Sequence, residues 1–176
     1  MSKKLYFRAD KRNFRPGDRI RTAGHFMSMN NQLGKAVEKA LASARPAGKP
    51  ARENCLMLFE DENWAREHCA RMNGTLYIIN IAAGSILHRG DMLLIEEMAE
   101  RVERGKDLFN EARRYWDGGF TKVPCVEVLV CAGTIVDLIE DEYEREAEFQ
   151  RYIRRERRDA ERRKKEFLQT YPADQE

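Results

Sequence analysis

The chain has 176 residues, 35% of them charged, yet its formal net charge is only +2. That length suffices for one domain with a true core, and the balance excludes a polycation overall. The charge is segregated instead, acidic over 140–148 and basic over 151–165.

The opening MSKKLYFRAD carries no apolar run of the kind a secretory signal needs. No stretch approaches the roughly 18 apolar residues of a membrane span. Four cysteines stand at 55, 69, 125 and 131 without a C-x-x-C spacing or a histidine at ligand distance, so no zinc or other metal site is expected. Cys55, Cys125 and Cys131 fall in apolar segments and read as core thiols. These features together predict a reduced, cytoplasmic protein with no membrane partner.

In chain order, Lys4 to Ala9 reads as a strand and Lys11 to Gly17 as a loop ending in Pro-Gly. Asp18 to Ala23 allows a second strand. Asn30 or Asn31 is placed to cap a helix running to about Arg45, with Leu33, Val37, Ala40 and Leu41 on one face. After a loop over 46–53, Cys55 to Phe59 predicts a buried strand. Asp61 then caps a helix that Asn73-Gly74 closes, and Thr75 to Ile81 predicts another strand.

The segment SILHRGDM reads as a loop, Asp91 to Arg104 as a helix, and Lys106 to Trp116 as a second helical piece. His25 and His88 read as loop histidines, which are usually solvated. Trp64 and Trp116 read as anchors of helices to a sheet. Pro124 to Glu140 predicts two buried strands joined by a tight turn at Ala132-Gly133. Alternation sets Cys125, Glu127 and Leu129 on one face of the first and Val126, Val128 and Val130 on the other. Glu140 to about Leu168 reads as one long polar helix. No phosphate-binding glycine motif occurs, and strands do not alternate regularly with crossover helices, so the class is α+β.

The order of motifs resembles the ADP-ribosyltransferase fold, near the small bacterial and phage members and the rifampicin-modifying group. The residues that carry the likeness are Leu5-Tyr6-Phe7-Arg8-Ala9-Asp10 with Phe14 to Asp18, then Leu56 to Phe59, Trp64-Ala65-Arg66 and Leu76 to Ile79, and last Val126-Glu127-Val128-Leu129-Val130. The resemblance implies a split β-sandwich of short strands with peripheral helices over 1–140, followed by a charged helical tail over 141–176.

It also implies a chemistry: NAD bound between two small sheets, cleavage at the nicotinamide ribose, and transfer of ADP-ribose to an acceptor, as in toxins, effectors and antibiotic modifiers. The transition state carries positive charge, which a nearby carboxylate stabilises. By that likeness Glu127 is the catalytic carboxylate and Arg8 a group that holds ribose or pyrophosphate. Ala9 meets the nicotinamide amide through its backbone. Met57 and Phe59 are the candidates for stacking on nicotinamide. Asp91 is a further catalytic candidate, although as the residue at which a helix starts it reads first as a cap. Arg8 and Glu127 are expected to face each other across one pocket.

A second reading is a non-catalytic module on the same fold. The run from Arg151 to Lys165 holds nine basic residues against three acids and is the part able to contact a nucleic acid or protein partner. The loops over 82–91 and 117–123 are those expected to shape the acceptor side.

Overall fold

The computed structural model describes residues 4–22, 32–139, 150–155, 158 and 160–162. Its strands are β1 (Tyr6–Asp10), β2 (Arg19–Arg21), β3 (Leu56–Phe59), β4 (Thr75–Asn80), β5 (Ile86–Asp91), β6 (Val126–Val130) and β7 (Ala132–Ile139). The helices between them are α1 (Gln32–Ala44), α2 (Glu62–Met72), α3 (Met92–Glu103) and α4 (Phe109–Trp116). All seven strands join one sheet in the order β2-β7-β4-β1-β3-β6-β5, and every pairing is antiparallel. The class is α+β, as expected.

Local chemistry explains most boundaries. Asp61 caps α2 by accepting a bond from the Trp64 amide at 3.1 Å. Asn73 ends the same helix at φ 49°, the left-handed conformation that asparagine tolerates better than most residues. Trp116 closes α4 against α1, its indole donating to the Leu41 carbonyl at 2.7 Å.

Several of the sequence expectations change. The SILHRGDM segment is strand β5, not a loop, and its Asp91 passes directly into α3. Its run is too short and too polar to show a period of two. The strands over 124–140 are not a hairpin: β6 pairs with β3 and β5, whereas β7 pairs with β4 and β2. The chain changes from one half of the sheet to the other at Cys131, which is exposed and no core thiol. The long polar helix is seen as helical residues at 150–155, 158 and 160–162; the rest of that expectation, the 140–141 boundary and His25 lie outside the described residues.

The sheet has two covered faces. On one, Tyr6, Ile20, Leu56, Leu58, Tyr77, Ile79, Val128, Val130 and Ile135 form a core from both halves of the sheet. On the other, α2 packs over Phe7, Ala9, Phe59 and Cys125. Beside it α1, α3 and α4 pack over Cys55 and Leu129. The alternation expected along β6 is therefore present, with Val128 and Val130 in the inner core and Leu129 beneath helices.

Candidate functional site: the β1–β3 split and a buried ion-pair cluster

β1 runs alongside β4 for five residue pairs and β3 alongside β6 for four, but β1 and β3 share the single pair Phe7–Phe59. The joint between the two half-sheets is thus one residue pair long. A strand carbonyl left without a ladder partner needs another donor. Arg8 supplies one: its Nη1 donates to the Met57 carbonyl at 2.8 Å and its Nε to Asp10 Oδ2 at 2.8 Å. Arg12 donates to the same carboxylate through its backbone amide at 3.0 Å and its guanidinium at 2.8–3.0 Å. Burial pushes the Asp10 carboxyl up, but the bonds and charge of Arg12 and Arg8 outweigh it and hold the group at about 2. Burial, countered by Asp10, lowers the Arg8 pKa.

Glu127 lies elsewhere. Residues directly opposite in an antiparallel ladder share a face, so Phe7, Phe59, Glu127 and Gly90 form one row. Arg8 follows Phe7 by one residue and faces the other way. The expectation that Arg8 and Glu127 share a pocket is therefore not met, because the period of two puts them on opposite faces of the sheet.

The carboxylate of Glu127 is 1% exposed and enclosed by side chains from three other segments. Arg52, in a 3-10 turn over Arg52–Asn54, pairs with Glu127 Oε1 through Nη1 and donates through Nε to Glu38 of α1 at 3.1 Å. The Tyr115 hydroxyl of α4 donates to the same Glu127 oxygen at 2.8 Å and accepts from Arg52. Glu127 Oε2 has no hydrogen-bond partner among the described residues.

One buried cation thus sits between two buried acids and a phenol. Burial works against the Arg52 charge, but Glu127, Tyr115 and Glu38 raise its pKa well above the ordinary value. Burial and the Glu127 charge raise Tyr115, which stays a hydroxyl. Burial also raises Glu38 despite Arg52. Chemically the cluster locks the 3-10 turn, α1, α4 and β6 together. As packed, its carboxylate is closed to a ribose.

The other expected residues are equally definite in place. Asp91 caps α3 by accepting from the Leu93 amide at 3.0 Å, and it also accepts from the Cys125 amide and from the amide and hydroxyl of Thr121. Those bonds occupy both of its oxygens. Phe59 is buried against α2 and beside His68, with ring centroids 5.2 Å apart. Ala9 is buried in the same cluster. Met57 is half-buried, with its sulfur 3.8 Å from Arg52 Nη2. His88 is not a loop residue; it is buried on β5 between Tyr115 and Trp116.

Sequence reasoning passed over Arg52, Glu38 and Tyr115. Glu38 offered a signal, since it stands next to Val37 and three residues before Leu41 on the buried face of α1. Arg52 offered none, in a loop among other charges.

No known family model matches the chain. No curated protein matches it either.

Proposed function

We propose that the chain is a non-catalytic, ADP-ribosyltransferase-like module that holds NAD, or its ADP-ribose part, at the β1–β3 split without cleaving it through Glu127. The fold proposed is the split β-sandwich of that family, carrying a charged helix at its C-terminal end. What supports binding is the place of Arg8: a part-buried guanidinium at the one-pair joint between two half-sheets, held by Asp10 and the Met57 carbonyl, of the kind that gives a pyrophosphate or ribose charge-assisted bonds. The observation that carries the non-catalytic part is the enclosure of Glu127 by Arg52 and Tyr115 on the opposite face.

The test is calorimetric titration of NAD and of ADP-ribose, run beside an assay for nicotinamide release. Saturable binding is expected, about tenfold weaker in Arg8→Ala, with no nicotinamide release. Failure of both ligands to bind at millimolar concentration overturns the binding reading. Nicotinamide release that Glu127→Gln abolishes overturns the non-catalytic one.

A further inference from the structure

The helical residues near the C-terminal end lie against α2 and form with it a half-open cleft of about 410 Å³, lined by Asn63, Glu67, Arg151, Tyr152, Arg155 and Arg158. The volume falls in the range of small-molecule sites, roughly 300–1,000 Å³. The spacing 151, 155, 158 puts three arginines on one face of a helix, since residues three and four apart are surface neighbours.

Their charges are not equally compensated. Glu67, the one acid in the lining, is taken by Arg155 and, at 2.8 Å, by Arg71. Arg71 in turn lies over the Tyr152 ring, 5.5 Å from its centroid. Arg151 and Arg158 have no carboxylate partner among the described residues, and Arg158 bonds only to the Arg154 carbonyl. Among the described residues, the lining therefore carries two guanidiniums without a carboxylate partner beside the amide of Asn63. A guanidinium presents paired donors that match phosphate oxygens, which a lysine does not.

We propose that this cleft is a site for a phosphate-bearing ligand of nucleotide size, with Arg151 and Arg158 as its anion-binding groups. It stands apart from the β1–β3 split and does not rest on NAD binding there. A free nucleotide and a nucleic-acid end share this chemistry, so the probes separate them: inorganic pyrophosphate, ADP and a single-stranded oligonucleotide.

Each probe is titrated into the full chain at low and moderate salt. Pyrophosphate and ADP are expected to bind, with affinity falling about tenfold or more in R151A/R158A. The charge-matched control is R19A/R21A, two exposed arginines on β2, which is expected to stay within about twofold. Asn63→Asp leaves the shape intact and sets an acid in the first turn of α2, where a helix tolerates it; it is expected to weaken binding in parallel. Equal losses in R151A/R158A and R19A/R21A mean diffuse attraction and overturn the site. So does binding of the oligonucleotide alone, or of no probe at all.

Discussion

Arg52 and Glu127 form an ion pair, each almost fully buried, with the Arg52 guanidinium against the Tyr115 ring and Glu127 on its hydroxyl. Glu38 completes the arrangement from α1. Removing one partner of such a pair leaves an uncompensated charge in the interior. Arg52→Met is therefore expected to cost about 3–5 kcal/mol in urea unfolding. The triple variant R52M/E38L/E127L, which removes all three buried charges, is expected to recover most of that loss. A single variant as stable as the parent would mean that the cluster contributes nothing.

Gly90 matters for the same cluster. It is the β5 partner of Glu127 in the ladder, and a Cβ there would lie 2.1 Å from Tyr115 Cε2. The Tyr115 ring occupies the space a side chain would fill, and that is how its hydroxyl comes to lie over the strand. Gly90→Ala must push the ring aside and with it the bonds to Arg52 and Glu127. Overpacking of this kind costs about 1–3 kcal/mol. A lowered melting temperature is expected; Tyr115→Leu, which removes both the clash and the hydroxyl's bonds, lowers it on its own, and in G90A/Y115L the two losses are expected to fall short of their sum. An unchanged melting temperature in Gly90→Ala would show that the ring moves freely.

Much of this was legible along the chain, and the reasons are local. Asp61, Asn73 and Asp91 act through neighbours two to four residues away, so their capping roles follow from position. The two faces of β6 follow from its alternation. What could not be read was which strands meet. β6 and β7 are separated by Cys131 alone and look like a hairpin, but they lie in different half-sheets. Glu127 was visible as an acid in an apolar strand, and a bound ligand and a distant arginine explain it equally well from sequence. The arginine is 75 residues away, and only the packed fold brings it near.

Asp10 predicts an acid-sensitive component of stability. Its carboxyl is held at about 2 by Arg12 and Arg8, against 3.8 ordinarily. A depressed carboxyl stabilises the fold above the unfolded value and loses that contribution as pH falls from about 4 through 2. Arg12 is 42% exposed, so screening reduces the effect. Asp10→Asn is expected to cost about 1–2 kcal/mol at neutral pH and close to nothing near pH 2. Chemical denaturation at both pH values measures it. Equal losses at the two would assign the effect to hydrogen bonding and not to charge.

His88 predicts a second, higher window. Burial, with help from the Lys49 charge, lowers its pKa to about 4, although a bond to the Tyr115 carbonyl works the other way. The geometry agrees: Nδ1 lies 3.2 Å from the Lys49 ammonium and accepts from it, while Nε2 donates to the Tyr115 carbonyl at 3.1 Å. A proton on Nδ1 would set two cations against each other. The unfolded chain takes up that proton near 6.5 and the folded chain only near 4, so stability falls as pH drops between those values. The single group accounts for at most about 3 kcal/mol. His68, also lowered to about 4 by burial, adds to the same slope. In His88→Gln an amide takes over both hydrogen bonds without titrating. The slope of unfolding free energy between pH 6.5 and 4 is expected to fall by about one proton, while loss of the ring contacts with Tyr115 and Trp116 lowers stability at every pH alike. A slope identical to the parent's would mean that His88 does not stay neutral in the fold.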